Sequence, residues 1–240
     1  MRYLLLAAAF AGFTGMAQAQ AQTQAQDPSD DRIKELALEA ILENPEIIMQ
    51  AVEILRQREQ QAAAAQASVV RRQLEMDANA PNMGNPDGDV TIVEFFDYNC
   101  GYCRRAAQAL RTVLDQDPNV RVIMQEWPVL GEGSVYAARA ALAARAQDKY
   151  DDFHWALMNN SGRLNEAAIM KIARDVGLDT ARLQADMQLP MVDAHIAKAD
   201  VMAKTLGFTG TPGFIIGDAA APGFISADQM MALIAEARGS

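Results

Sequence analysis

The only two cysteines of this 240-residue chain, Cys100 and Cys103, constrain its fold more than any other feature. Residues 90–96 before them are rich in β-branched and aromatic side chains, which predicts a strand. After the pair, apolar residues recur at helical spacing, at positions 103, 106, 110 and 113. The fold must therefore place Cys100 where a strand passes into the N-terminus of a helix.

A cysteine at a helix N-terminus faces unpaired backbone N–H groups and the positive end of the helix dipole, and both stabilise a thiolate. We therefore expect the pKa of Cys100 to lie below the free-thiol value of about 8.5, in the range of roughly 3.5 to 7. A strand, a C-x-x-C pair and a helix in this order are typical of thioredoxin-type redox proteins. The pair predicts a reversible, chemically active disulfide.

Two structural roles for the pair are less favoured. A zinc site needs further ligands, and the chain has no second cysteine pair and only two distant histidines, His154 and His195. A structural disulfide would close so short a loop that it constrains little entropy of the unfolded chain. We expect both histidines to be ordinary helix residues and the 13 methionines to fill the core rather than to bind copper. The sequence thus predicts no metal site and no cofactor.

The N-terminus has the three parts of an export signal. Arg2 supplies positive charge, residues 4–16 form an apolar run too short to span a bilayer, and residues 17–19 are a small-residue cleavage site. We expect residues 1–19 to be removed as a signal peptide and residues 20–29 to be a disordered leader. The mature protein would then work in an oxidising compartment. The formal net charge of −10 argues against nucleic acid or anionic membranes as partners.

Residues 30–76 predict a helical stalk broken at Asn44-Pro45, where Asn44 is suited to cap a second helix and Pro45 to begin it. Apolar residues form a stripe on the first helix and recur every seven residues on the second. The apolar patch over residues 33–55 cannot bury itself, and the stalk beyond Leu55 is too polar to be core on any side. The patch either folds back on the catalytic domain or mediates self-association, which we favour.

A cluster of Gly, Pro, Asn and Asp over residues 83–89 marks a domain boundary, so residues 77–89 are assigned as a linker. Residues 90–240 predict an α/β domain in which a helical insertion at about 131–206 separates a strand–helix–strand unit from a strand–strand–helix unit. The last helix begins with a capping box at residues 226–229. The predicted strands are 90–96, 120–126, 213–217 and 222–225, and the predicted helices include 103–114, 135–145, 150–158, 166–175 and 192–206.

Two segments carry a resemblance to a known family. Residues 95–103, FFDYNCGYC, and residues 209–214, TGTPGF, resemble the DsbA-type periplasmic thiol–disulfide oxidoreductases over about residues 84–238. The resemblance implies a thioredoxin-like fold with an inserted helical domain and a periplasmic location. Residues 42–46, LENPE, before a Gln/Ala/Arg-rich helix are similar to the ScsC (suppressor of copper sensitivity) branch. Some members there are homotrimeric disulfide isomerases, which implies a homotrimer held by the N-terminal helices.

The resemblance also assigns three catalytic roles. Cys100 is the attacking sulfur, Cys103 is the resolving thiol, and Glu94 is a buried proton acceptor for that thiol. The residues agree for Glu94, because a lone carboxyl in an apolar strand should have a raised pKa. The alternative is that Glu94 is a solvent-facing strand residue.

Further residues complete the expected site. The family holds the bond at Thr211-Pro212 cis and exposes the main chain at Thr211 to pair with an extended substrate. Gly101 and Tyr102, between the cysteines, tune the stability of the thiolate. Relatives commonly carry a basic residue at the position of Gln125, so proton transfer here departs from the family pattern if that charge tunes the site.

Together these observations predict a thiol–disulfide oxidoreductase that acts on unfolded or misfolded secreted proteins. We favour a disulfide isomerase or reductase, because several active sites facing one another raise the effective concentration of a bound substrate. A membrane redox partner would maintain its redox state. Two other functions remain open: a monomeric DsbA-like oxidase, and a copper-binding protein that uses two thiolates for Cu(I).

Overall fold

The computed structural model of the chain describes residues 29–239. The predicted signal peptide, residues 1–19, lies outside the described residues, as does the predicted leader apart from Ser29. The chain divides into two compact units, Met1–Arg56 and Gln57–Ser240. Across residues 29–239, no helix is both long and apolar enough to cross a membrane.

Two helices form the N-terminal region: α1 spans Asp30–Glu43 and α2 spans Glu46–Glu75. The residues between them, Asn44 and Pro45, break the helix as the sequence predicts. The side chain of Asn44 acts differently from the prediction, because its amide donates to the carbonyl of Ala40 at 3.1 Å. Asn44 therefore closes α1 with its side chain rather than capping α2.

The N-terminal helices leave a large apolar surface uncovered. Helix α1 has no buried residue, and its large apolar side chains reach 72% exposure at Leu42. By contrast, Val70 and Leu74 near the end of α2 are buried in the core of the second unit. The exposed set, called here the N-terminal apolar surface, comprises Ile33, Leu36, Leu38, Leu42, Ile47, Ile48, Met49, Ile54 and Leu55.

A five-stranded sheet in the order β1-β3-β2-β4-β5 forms the centre of the second unit. Its long strands, β2 (Val90–Phe96) and β3 (Val120–Glu126), run parallel, as the sequence predicts. The other pairs are antiparallel. Strand β1 (Asn82–Gly84) lies in the segment assigned as a linker. Strand β5 (Ala219–Pro222) pairs with β4 (Gly213–Ile216) and begins before the predicted partner at 222–225.

Helix α3 (Gly101–Gln116) makes the crossover that two parallel strands require. The helices of the insertion follow β3 and precede β4 in the sequence, and α9 (Ala227–Gly239) follows β5. The predicted capping box forms at α9, where the Ser226 and Gln229 side chains each accept the other residue's backbone N–H. The insertion helices are α4 (Glu132–Ala144), α5 (Tyr150–Met158), α6 (Glu166–Asp175), α7 (Thr180–Asp186), which the sequence analysis did not predict, and α8 (Pro190–Thr205).

The two faces of β2 serve two separate cores. Ile92 and Phe96 belong to the cluster that includes the buried face of α3. Val93 and Phe95 belong to a second cluster with the ends of α2 and α8. Because side chains alternate along a strand, Glu94 lies on the face of Ile92 and Phe96, beneath α3.

Candidate active site

Cys100 is the N-cap residue of α3 and the more exposed of the two cysteines. Its Sγ lies 3.4 Å from the carbonyl oxygen of Thr211. A hydrogen bond from Cys103 lowers the pKa of Cys100 to about 5, and hydrogen bonds from the Thr211 side chain and from the backbone N–H groups of Tyr102 and Cys103 add to this effect, against the opposing effect of burial. Cys100 is therefore a thiolate at neutral pH.

Cys103 lies in the first turn of α3 and has no exposed surface. Burial raises its pKa above the ordinary thiol value, and the hydrogen bond with Cys100 and the charge of Glu94 act in the same direction. Cys100 and Cys103 are not joined by a disulfide in this structure. The pKa values of the two thiols are thus shifted in opposite directions, so Cys100 ionises far more readily than Cys103.

Glu94 is 1% exposed and lies in register with Met124 on β3 and Phe214 on β4. Burial raises its pKa to about 8, and the negative charge of Cys100 contributes in the same direction. Within residues 29–239, its Oε1 atom has no hydrogen-bond partner. Glu94 is therefore mostly protonated at neutral pH.

The loop before β4 brings the second predicted segment to the cysteines. The Thr211–Pro212 peptide bond is cis, as the resemblance implies. A backbone hydrogen bond also fixes Pro212, because its carbonyl accepts the backbone N–H of Gly223 at 2.8 Å. Gly213 lets the loop pass close to Phe208, since a Cβ atom there would lie 3.0 Å from the aromatic ring. These contacts keep the main chain of Thr211 beside the sulfur of Cys100.

The dipeptide between the cysteines faces outward. Gly101 has open space where a side chain would lie, so no close contact requires glycine there. Tyr102 is 57% exposed, and the guanidinium of Arg105 stacks 4.2 Å from its ring centroid. The same guanidinium lies 5.5 Å from the ring of Phe224. Tyr102 thus supplies a backbone N–H to Cys100 and an aromatic surface to the rim of the site.

Asp97 and Asn99, which the sequence analysis did not single out, fix the loop that leads into Cys100. One carboxylate oxygen of Asp97 accepts the backbone N–H of Asn99 at 2.7 Å, and the other accepts two backbone N–H groups at residues 129–130. The side chain of Asn99 accepts from the backbone N–H of Leu164 at 2.7 Å and donates to its carbonyl at 3.2 Å. The loop is therefore anchored to the helical insertion. The signal was their place inside the motif, Asp-Tyr-Asn directly before Cys100.

A second group missed from the sequence is a buried polar cluster, defined here as Tyr98, Glu126, Tyr150 and His154. Glu126 Oε1 accepts hydrogen bonds from Tyr98 at 2.8 Å and Tyr150 at 3.0 Å. The Nδ1 atom of His154 lies 3.1 Å from the Tyr98 hydroxyl. All four side chains are buried, and burial lowers the pKa of His154 to about 3. The cluster links the loop before Cys100 to β3 and α5.

The other residues considered as candidates in the sequence either lie away from the cysteines or are not part of a group of side chains that could bind a metal ion. Gln125 is buried and precedes Glu126 on β3. Because successive side chains of a strand point to opposite faces, Gln125 faces the second core, on the other side of the sheet from Glu94. His195 is buried in α8, and burial lowers its pKa to about 4. Among residues 29–239, no group of three or more His, Cys, Asp or Glu side chains is placed to hold a metal ion.

Two family models match the chain. The DSBA-like thioredoxin domain matches residues 91–235, and the copper resistance protein ScsC N-terminal domain matches residues 31–62. The first match covers the sheet, the cysteine pair and the helical insertion. The second covers α1 and the first half of α2. The predicted fold class, a thioredoxin-like fold with inserted helices after an N-terminal helical region, is confirmed.

Solved structures agree with these matches. A thioredoxin-like oxidoreductase from Silicibacter pomeroyi DSS-3 is 56% identical, with a TM-score of 0.70 over 71% of this chain and 98% of that one. The catalytic domain of Proteus mirabilis ScsC is 27% identical, with a TM-score of 0.68 over 74% of this chain and 99% of that one.

A curated relative of a different size also matches. The Na(+)/H(+) antiporter NhaA 1 of Salinispora arenicola is 29% identical over 135 residues, which is 55% of this chain and 21% of that protein. The chain thus spans about a fifth of the length of that antiporter. Because the first family model covers more than half of the chain and includes the cysteine pair, this chain belongs to the family of DSBA-like thioredoxin domains, with an ScsC-type N-terminal region.

Proposed function

We propose that this chain is a thiol–disulfide oxidoreductase that acts on protein cysteines through a mixed disulfide at Cys100. The observation that carries the proposal is the opposite behaviour of the two thiols. Hydrogen bonds lower the pKa of Cys100 to about 5, and burial raises the pKa of Cys103. A thiolate is the nucleophile in disulfide exchange, so Cys100 attacks the substrate first and Cys103 reacts in a later step.

The proposed exchange starts from the reduced protein. The Cys100 thiolate attacks a substrate disulfide, one substrate sulfur leaves as a thiolate, and the other stays bonded to Cys100. Once Glu94 has released its own proton to solvent, Cys103 gives its proton to the Glu94 carboxylate, and the sulfur of Cys103 attacks the Cys100 sulfur of the mixed disulfide. The second substrate sulfur leaves and takes a proton from solvent. The substrate gains two electrons, and the Cys100–Cys103 pair becomes a disulfide.

Glu94 is suited to change its role during this cycle. In the reduced protein, burial and the charge of Cys100 both raise its pKa. Formation of the mixed disulfide removes the Cys100 charge, so the pKa of Glu94 falls. A larger fraction of Glu94 is therefore ionised, and able to accept a proton, at the step in which Cys103 must lose its proton.

Substrate peptides are proposed to lie along the cis-proline loop. The main chain of Thr211 stands beside the sulfur to which the substrate is joined. An extended peptide bound there can pair with main-chain groups without regard to its sequence. This suits an enzyme of many unfolded or misfolded secreted substrates.

We further propose a periplasmic homo-oligomer, most simply a trimer, that works as a disulfide isomerase or reductase. The support is the N-terminal apolar surface, which is exposed on α1 and the first turns of α2, and the ScsC-type match over residues 31–62. Burying this surface between copies would bring several active sites near one substrate. A membrane redox partner would keep the cysteines reduced.

Trapping experiments test the exchange. Cys103→Ser should accumulate mixed disulfides with substrate proteins, because the resolving thiol is absent, whereas Cys100→Ser should form none and should lose insulin reduction. Reversed trapping would show that the attacking and resolving assignments are exchanged. If neither variant accumulates mixed disulfides, the proposed function is wrong.

A copper-binding function is the second candidate. The family described as a copper resistance protein domain matches residues 31–62, and thiolates are soft ligands that suit Cu(I). Stoichiometric copper binding that persists after oxidation of the cysteines would place the metal elsewhere. Copper binding confined to the reduced protein, together with absent exchange activity, would favour copper sequestration over the oxidoreductase.

A further inference from the structure

Three exposed side chains form a cluster at the edge of the active site, called here the rim cluster: Tyr102, Arg105 and Phe224. The guanidinium carbon of Arg105 lies 4.2 Å from the centroid of the Tyr102 ring and 5.5 Å from that of the Phe224 ring. Tyr102 stands between the two cysteines, and Arg105 follows it by three residues on α3. The rim cluster therefore joins the cysteine-bearing turn of α3 to the segment that follows β5.

The segment after β5 is itself bonded to the loop on which a substrate is proposed to lie. Gly223, next to Phe224, donates its backbone N–H to the carbonyl of Pro212 at 2.8 Å. The carbonyl oxygen of Thr211, the residue before that proline, lies 3.4 Å from the sulfur of Cys100. The rim cluster thus borders both the Cys100 turn and the cis-proline loop. A peptide joined to Cys100 would pass the rim cluster with residues close to its own cysteine.

The charge of Arg105 has no counterpart in the part of the chain that the structure describes. Across residues 29–239, its guanidinium forms neither a hydrogen bond nor an ion pair. Its neighbour Arg104, by contrast, donates to the carbonyl oxygens of Tyr98 and Gly162 at 3.3 and 2.7 Å. Aromatic rings stack on the face of a guanidinium, whereas its N–H donors lie at the edges of its plane. Because Arg105 is exposed, its donors are open to a ligand.

A carboxylate is the ligand that suits this guanidinium. The planar fork of arginine binds a carboxylate through two parallel hydrogen bonds, and both bonds are strengthened by charge. The two rings limit the positions of the guanidinium, so less side-chain freedom is lost when a ligand binds. The formal net charge of −10 acts the other way, because it disfavours the approach of an acidic peptide. A preference for acidic peptides must therefore come from a local cation such as Arg105.

We propose that Arg105 is a specificity-determining residue, whose guanidinium, held against Tyr102 and Phe224, binds an aspartate or glutamate side chain near the reactive cysteine of the substrate. The inference rests on the proposed function and names the class of peptide that this site favours. The ion pair forms before the exchange and adds no chemical step to it. It holds the substrate disulfide beside Cys100, which raises the rate of mixed-disulfide formation at low substrate concentration.

Single-turnover kinetics on the intact reduced protein test this inference. The substrates are peptides with both termini blocked, in which one cysteine is joined to a chromogenic thiol and Glu or Gln stands close before or after that cysteine. The chromogenic thiol is the better leaving group, so its release reports the attack of Cys100 on the peptide sulfur. We expect the Glu peptide to react about two- to fivefold faster than the Gln peptide in at least one of the two positions, as an exposed ion pair provides. An ionic strength of about 1 M should bring this ratio close to one, because exposed charges are then screened.

Three variants assign the preference to one side chain. Arg105→Met keeps an apolar stem against the rings but removes the charge, so the ratio of the Glu rate to the Gln rate should fall to one or below. Arg105→Lys should keep part of the ratio, because lysine retains the charge without the planar fork. Arg111→Met is the matched control, since Arg111 lies six residues further along α3 and stacks 4.9 Å from the ring centroid of Trp155. We expect this control to keep both the rates and the ratio of the parent.

The outcomes separate the inference from the proposed function. Equal rates for Glu and Gln peptides in both positions, or a ratio that salt does not lower, would overturn the inference. A Glu preference that persists in Arg105→Met would do the same, because a different group would then bind the carboxylate. If Arg105→Met does not fold, a ratio in Arg105→Lys that equals that of the parent is the contradicting result. Failure of the parent to release the chromogenic thiol from any peptide would instead overturn the proposed function.

Discussion

Cys100 and Cys103 are the same side chain in the same turn of one helix, yet their environments push their pKa values in opposite directions. Cys100 stands at the N-terminus of α3, where N–H groups and Thr211 surround its sulfur. Cys103 is fully buried, and burial disfavours its charge. The asymmetry follows from position alone, as expected for a C-x-x-C pair at a helix start.

Glu94→Gln tests the state of the buried acid through protein stability. The pKa of Glu94 is raised to about 8 in the folded protein, whereas an unfolded glutamate titrates at about 4.3. The unfolded state therefore loses the proton first, and the stability of the protein falls as pH rises between these values. We expect Glu94→Gln to be more stable than the parent by on the order of 3 kcal/mol near neutral pH. The difference should almost vanish near the unfolded pKa.

Denaturant unfolding of the reduced protein, at neutral pH and near the unfolded glutamate pKa of about 4.3, measures this difference in stability. Glu132→Gln is the control, since Glu132 is an exposed carboxyl in the first turn of α4. A stability gain that does not depend on pH would show that Glu94 is ionised or solvated in the folded protein. The gain should be smaller for the oxidised protein, because the charge of Cys100 is then absent.

The sequence predicts some of these residues and not others for a physical reason. Glu94 was predictable because a single carboxyl interrupts an apolar strand. Glu126 also ends an apolar strand, but its hydrogen-bond partners, Tyr98 and Tyr150, lie in a loop and on a helix whose packing against β3 has no local signal. Sequence periodicity reports which face of an element is buried, not which polar groups meet there.

At the scale of elements, long periodic segments were predicted well and short ones were not. The parallel pair β2 and β3 and the crossover α3 follow from clear patterns. Helix α7 is a single short segment that begins at its cap, Asp179, and offers too few turns for a periodic signal. Strand β1 was not predicted, because it lies in a segment rich in turn residues and is a strand only through its pairing with β3.

Helix α1 carries the prediction about assembly. Leu42→Glu places a charge in the N-terminal apolar surface, where burying one whole leucine side chain would contribute about 2 kcal/mol. If this surface joins copies of the chain, association should weaken at least about tenfold, and isomerisation of scrambled substrate should fall. The reduction of simple disulfides should be unchanged, because the cysteines lie in the second unit.

Light scattering and a scrambled-ribonuclease assay measure both effects. Glu39→Gln is the matched control, since Glu39 is an exposed polar residue of the same helix. A parent protein that is already monomeric, or a Leu42→Glu variant with full isomerase activity, would contradict the trimeric isomerase and favour the monomeric oxidase.

At the scale of the whole molecule, the net charge of the protein disfavours ionisation of the Cys100 thiol. The chain has a formal net charge of −10, and a negative protein disfavours a further thiolate. The lowered pKa of Cys100 therefore comes from nearby hydrogen bonds and not from the overall field. The order of units along the chain was predictable from sequence, whereas the anchoring of the active-site loop to the helical insertion depends on tertiary contacts of Asn99.

The most direct test of the central claim is a pH titration of thiolate absorbance in the intact reduced protein. We expect one thiol to titrate with a midpoint near pH 5 and the other to stay protonated across the neutral range. Cys100→Ala should abolish the acidic step, and Cys103→Ala should retain it at a higher midpoint, because the largest hydrogen bond to Cys100 is lost. An acidic step that persists in Cys100→Ala, or no step below the ordinary thiol pKa of about 8.5, would contradict the account.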